Sequence, residues 1–89
     1  MYQLIYTSRF QKDIELLKSR GFELQAIKKV IIELEETGRL SIQNRPHKLW
    51  GNYLGYWEAH IKPDWLLIWK KIKNEIWLTR TGTHADLFG

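Results

Sequence analysis

A chain of 89 residues, 44% of them hydrophobic and including five Trp, four Tyr and three Phe, is sized for one domain with an aromatic-rich core. It has no cysteine, which excludes disulfides and thiolate metal sites, and no apolar run approaches the roughly 18 residues of a membrane span. The net charge of +4 is a moderate basic bias that suits a polyanionic partner, nucleic acid or an acidic protein.

The opening MYQLIYTSRF lacks the basic and apolar regions of a secretory signal, so a cytoplasmic location with no membrane partner is expected. The basic excess is uneven. Residues 1–44 carry seven Lys/Arg against six Asp/Glu, whereas residues 45–89 carry seven against four and hold all three histidines. Lysines solvating the surface of an apolar sheet account for that on charge alone.

YQLIYT is short and β-rich, a predicted first strand. Ser8 reads as a helix N-cap with Gln11 as its capping-box partner. Phe10, Ile14 and Leu17 then form one apolar helical stripe, and Gly21 ends it. A second helix is expected from near Glu23, with Leu24, Ile27, Val30, Ile31 and Leu34 at helical spacing and Gly38 as its stop. The short RGF link makes the pair a hairpin for packing on a flat surface. Its polar faces mix both signs of charge, which assigns it to scaffold.

After LSIQNRPHKLWGN, where Pro46, Gly51 and Asn52 read as loop, come three strand-like runs. YLGYWEAHI, WLLIWKKI and EIWLTRT are separated by the short breaks PD and KN, so two consecutive hairpins are predicted. WLLIW is apolar throughout and should be the central strand, buried on both faces. The order β-α-α-β-β-β gives a single α+β domain over residues 1–89. Its sheet is antiparallel-rich, with the helical hairpin on one face and a short C-terminal segment.

The residues suited to chemistry sit at strand ends and in loops: His47, His60, Asp64, Arg80 and His84. His60 shares strand parity with Glu58, away from Trp57, Ala59 and Ile61, so it should point from the more apolar face. Asp64 lies across a tight turn from His60, and a histidine beside a carboxylate is an acid/base element. A Pro-Asp turn and an ordinary polar histidine explain the same two residues. Zinc is disfavoured, because no pair of these residues has the helical i, i+4 spacing of a metal helix. Ser8 and Ser41 are better explained as cap and loop than as nucleophiles. The set does suit phosphodiester cleavage in RNA, which needs a base, an acid and positive charge on the phosphorane.

Three blocks sharpen this reading: HKLWG (47–51), AHIKPDWLLIW (59–69) and RTGTHADLF (80–88). In order and spacing they resemble the YafQ branch of the RelE-like toxins of bacterial type II toxin–antitoxin modules. The resemblance implies a RelE-like fold and a ribosome-dependent mRNA endoribonuclease that cuts A-site codons without metal or cofactor. It implies as partners the ribosome and mRNA, and a cognate antitoxin through which alone promoter DNA is bound; the free toxin is expected to be monomeric. It places His47, His60, Asp64 and His84 on the catalytic positions and Phe88 on the functional C-terminal aromatic. His84 takes the role of acid, and Asp64 or His60 that of base. His47 and Arg80 hold phosphate, and Lys48, Lys62, Lys70, Lys71 and Lys73 meet ribosomal RNA. Trp69 departs from the family's commoner tyrosine, and Trp50 and Trp57 add aromatic surface, which puts codon preference in question but not the reaction. The alternatives are a catalytically weak relative that acts as an antitoxin-binding corepressor, and a non-enzymatic single-strand RNA-binding domain. In the last ten residues, Gly82 is expected to turn the chain so that His84 returns over the site, with Leu87 and Phe88 pinning the segment.

Overall fold

The computed structural model describes residues 1–89. Strand β1 (Gln3–Tyr6) runs directly into helix α1 (Ser8–Ser19). The cap between them is Thr7, not Ser8: its Oγ1 accepts the Phe10 N–H at 3.1 Å and donates to the Leu78 carbonyl at 2.9 Å. The second bond decides between two adjacent hydroxyls, since only Thr7 ties the helix start to a distant strand. Gln11 forms no capping box; its side-chain amide reaches back to the Tyr6 carbonyl at 3.1 Å. Helix α2 (Leu24–Thr37) starts from Glu23 and ends at Gly38 in the left-handed conformation, φ 74°. That glycine is needed twice over, because a Cβ there would lie 2.5 Å from the Tyr2 ring.

Residues 47–82 supply the other strands: β2 (His47–Lys48), β3 (Trp57–Lys62), β4 (Trp65–Ile72) and β5 (Glu75–Gly82). The sheet order is β1-β5-β4-β3-β2, with β1 parallel to β5 and every other pair antiparallel. β4 is the middle strand, and Trp65 through Trp69 are all buried, as an unbroken apolar run requires. The two-residue β2 falls in a stretch expected to be loop. It is too short for a period to show and depends on pairing His47 with Glu58 and Lys48 with Trp57.

The sheet's two faces differ. Ala59, Trp65, Leu67, Trp69, Ile76 and Leu78 pack against Phe10, Leu17, Ile27, Val30 and Leu34 of the helical hairpin. On the other face Leu66 and Ile68 meet Leu87 of a short third helix, α3 (His84–Phe88). Between Leu78 and Arg80 the register against β4 shifts by one residue, with Trp69 opposite Leu78 and Ile68 opposite Arg80. Residues 78 and 80 therefore leave the strand on opposite faces, which a regular strand would not allow.

β1 stops pairing at Leu78, so the rest of β5 has a bare edge. Asp13 of α1 covers it. One buried carboxylate accepts the Thr81 N–H at 3.1 Å, Arg80 Nε at 2.8 Å and Arg80 Nη2 at 3.3 Å. Asp13→Ala should cost about 3 kcal/mol in urea denaturation, since it strands a guanidinium and a backbone donor together. Asp13→Ala/Arg80→Met should recover part of that loss. Equal stability of wild type and the single variant would show that the contact is incidental.

Candidate active site

His60 lies on β3 opposite Leu66 and faces away from the helical hairpin, as its strand parity requires. A register irregularity between His60 and Lys62 follows it. Asp64 sits in the tight turn before β4, but the histidine it meets is His84. The Oδ1 atom accepts the His84 backbone N–H at 2.9 Å and its Nδ1 at 2.5 Å. These hydrogen bonds hold the Asp64 carboxyl below its ordinary pKa, the backbone bond contributing most. A carboxylate only accepts, so Nδ1 bears the hydrogen and Nε2 is left to exchange a proton. The expected closeness of His60 and Asp64 gives way because α3 folds back over the turn and supplies a better-placed donor pair.

His60 is instead the neighbour of His84, with ring centroids 6.0 Å apart. Its Nδ1 is buried with no hydrogen-bond partner. Its pKa is lowered, first by burial and next by the positive charge of Arg45, against an opposing pull from Glu58. An imidazolium must donate from both nitrogens, so an enclosed, unpartnered Nδ1 also opposes the charged form. Asn44 secures the strand beneath by donating to the His60 carbonyl at 2.9 Å.

His47 approaches from β2, the neighbouring strand. Its Nε2 lies 3.2 Å from Oε1 of the buried Glu58, and its Nδ1 lies 3.1 Å from the Arg45 carbonyl. Both partners are acceptors, so the two contacts coexist as hydrogen bonds only with a doubly protonated ring.

The tail is built rather than frayed. Thr83 caps α3 in a reciprocal capping box with Asp86: Thr83 Oγ1 accepts the Asp86 N–H at 3.1 Å and Asp86 Oδ2 accepts the Thr83 N–H at 2.9 Å. Arg20 Nη1 adds a contact of 2.9 Å to the same Oδ2, and this cation and the cap bonds hold the Asp86 carboxyl at about 2. Gly82 remains within β5 and makes no sharp turn. Its role is room, since a Cβ there would sit 2.9 Å from that of Asp86. Leu87 is buried against Leu66 and Ile68, and the half-exposed Phe88 stands edge-on to Tyr53 at 5.8 Å.

The basic residues divide. Arg80 is held by Asp13, which raises its pKa, with its side chain only 14% exposed. Lys70 lies over the Tyr56 ring at 5.2 Å, on the same face as His60. Lys62 is exposed at the end of β3. Lys48 points to the opposite face from His47 and lies over Trp57, while Lys71 lies over Tyr2. Lys73 belongs to the turn at the far end of β5, roughly 25 Å from Gly82 by strand rise. No three His, Asp or Glu side chains converge to hold a metal ion.

Five participants escape the sequence reading: Asp13, Arg20, Arg45, Tyr53 and Glu58. Glu58 alone left a signal, a charge at the same strand parity as His60. Asp13 lay on a helix face and Arg20 in the link between the helices, and at neither place does a charge tell whether it meets water or another element.

A family model described as the bacterial toxin of a type II toxin–antitoxin system, YafQ, matches residues 2–89. The mRNA interferase toxin YafQ of Escherichia coli K12 is 35% identical over 85 residues, 94% of this chain and 92% of the relative. The crystal structure of YafQ from E. coli BL21(DE3) superposes with a TM-score of 0.93 at 33% identity, covering 100% of both chains. YafQ in the E. coli DinJ–YafQ complex gives 0.89 at 33% identity, again over 100% of both. A metal-bound toxin from Helicobacter pylori gives 0.89 at 33% identity, over 99% of this chain and 100% of that one.

The Asp86 anchor sets a pH response. Its folded pKa lies below the ordinary 3.8, so its stabilisation of α3 is complete above that value and lost as pH falls towards about 2. Leu87 methyl signals in NMR should report an undocked tail at higher pH in Arg20→Ala than in wild type. An unchanged midpoint would show that the ion pair does not hold the tail.

Proposed function

Because the chain belongs to the YafQ family of bacterial type II toxin–antitoxin toxins, we propose that it is a ribosome-dependent mRNA endoribonuclease that cuts A-site codons by metal-independent acid–base catalysis. The observation that carries the mechanism is the contrast between two neighbouring histidines, one oriented by Asp64 and one whose pKa is lowered. His60, uncharged at neutral pH, takes the proton of the 2′-hydroxyl as that oxygen attacks phosphorus. The P–O5′ bond breaks, and His84 delivers a proton from Nε2 to the departing oxygen, leaving a 2′,3′-cyclic phosphate. Asp64 orients His84 instead of acting as base, since the oxygen nearest the site is already bonded to that ring and its backbone.

His47, held on Glu58, and Arg45 face the developing phosphorane charge, and Arg80 adds a fixed positive field from its place on Asp13. Phe88, edge-on to Tyr53 and half in solvent, offers a face to an unpaired base. Lys62 and Lys70 flank this surface and draw the ribosomal RNA backbone, a contribution that weakens with salt. E. coli YafQ is crystallised with DinJ, and by that likeness a cognate antitoxin binds this chain. The free toxin is a cytoplasmic monomer that reaches promoter DNA only through the antitoxin. No helix is long and apolar enough to cross a membrane.

Induced expression should arrest growth, and His84→Ala or Asp64→Ala should relieve the arrest while circular dichroism stays native. Purified protein should cut mRNA on programmed ribosomes, leave free RNA largely intact and keep full activity after exhaustive chelation. If wild type and both folded variants prove equally harmless, the enzymatic reading fails.

The base assignment has its own test. A base must be unprotonated, so activity is lost as pH falls through the His60 pKa. That pKa lies below the usual histidine value of about 6.5, so the acid limb of single-turnover cleavage should fall on the acid side of it. His60→Gln should remove this limb. A limb at or above the usual value would assign the base elsewhere.

A further inference from the structure

On the sheet face opposite the catalytic histidines, the helical hairpin stops short of the β2 edge. A groove of about 400 Å³ opens there. Its cations are Arg39, Lys48 and Lys71, all exposed, and it contains no carboxylate. Its wall is the stacked pair of Trp57 and Trp69, with ring centroids 6.1 Å apart and planes inclined by 16°.

The groove is fixed rather than a chance meeting of long side chains. Lys71 is drawn to Tyr2, with Nζ 5.0 Å from the ring centroid and 3.4 Å from the phenol oxygen. Gly38 is wedged against that same ring. The next backbone unit, at Arg39, is clamped by Thr37, whose Oγ1 accepts the Arg39 N–H at 3.2 Å and donates to its carbonyl at 2.8 Å. Lys48 stands over Trp57 at 5.7 Å from the ring centroid. Lys48 and Trp57 also line a second hollow, and on its far side is Trp50, an indole 80% exposed. This leaves an indole face open to solvent next to Lys48.

We propose that this rear surface is a second RNA-binding site, which grips an unpaired strand with its phosphates along Arg39, Lys48 and Lys71 and a base stacked on Trp50. The chemistry favours RNA over an acidic peptide. Three cations without a counter-ion match a phosphate backbone, and an exposed indole matches a nucleobase face, for which a run of carboxylates has no use. The site deepens the reading of the protein as an RNA-cleaving toxin and rests on it. His47 and Lys48 are consecutive on β2 and point to opposite faces, so a strand held behind the sheet rounds its edge within one residue of the catalytic side.

The test uses the full chain carrying His84→Ala, so that cleavage plays no part, with a short labelled oligouridylate followed by fluorescence anisotropy. Trp50→Ala, a change at a solvent-exposed position, should weaken binding about tenfold, the order expected for one lost base–indole stack. Lys48→Ala/Lys71→Ala should weaken it further and flatten the slope of log K against log salt by about 0.7 per cation removed. Lys28→Ala, on the exposed outer side of α2, should do neither. Binding unchanged by Trp50→Ala and by the double variant would overturn the proposal. So would a polyglutamate peptide that binds more tightly than the RNA in a Trp50-dependent way, which would assign the surface to an acidic protein segment. Cleavage on ribosomes is measured separately in the His84-intact protein, so loss of the catalytic reading leaves this result standing or falling alone.

Discussion

The carboxylate of Asp13 holds together the end of β5 from which the candidate site hangs. β5 lies between β1 and β4, yet beyond Leu78 its outer edge has no strand beside it. A bare edge there would leave Thr81 and its neighbours free to fray. A single side chain from α1 replaces the missing strand by accepting a backbone N–H, and it accepts Arg80 with the same oxygen pair. Thr81 is then locked from the other side, since its hydroxyl donates to the Leu66 carbonyl at 2.7 Å and accepts the Trp65 indole N–H at 2.9 Å. From that fixed point the strand runs one residue further, to Gly82, and only Thr83 separates the sheet from His84.

This arrangement gives the two sheet faces different work. The helical hairpin covers one face and supplies most of the core, but two of its charged side chains act beyond it, Asp13 at the strand edge and Arg20 on the tail. The other face is sparsely covered by α3, and that sparseness leaves its histidines accessible. Packing is concentrated where it positions α3, through Leu87 on Leu66 and Ile68, and not over the histidines.

What sequence reasoning recovers and what it misses follows the range of the interactions involved. The helices and the long strands were legible because Phe10, Ile14 and Leu17, or the run Trp65–Trp69, carry their period within a few residues. The blocks that carry the family resemblance also hold the three histidines, Asp64 and Phe88, which the fold gathers on one face of the sheet. Partnerships were not legible. Thr7 displaced Ser8 as cap because of a carbonyl on β5, Asp64 took His84 as partner instead of His60 because α3 folds back, and β2 exists only through β3. Asp86 caps α3 and binds Arg20 at once. The partners of Thr7, Asp64 and β2 lie beyond the few residues that a local pattern spans.

The parallel pairing of β1 with β5 also sets the order in which the molecule becomes whole. Thr7 reaches Leu78 and Thr79, up to 72 residues away, and Gln3 pairs with Glu75. A chain made from its N-terminus therefore displays β1 and both long helices before the strand they must join exists. Such long-range closure is slow and comes late. Until β5 and α3 have emerged, neither the edge that Asp13 covers nor the histidine beside Asp64 is present. A nascent copy thus lacks the candidate site for nearly the whole of its own synthesis.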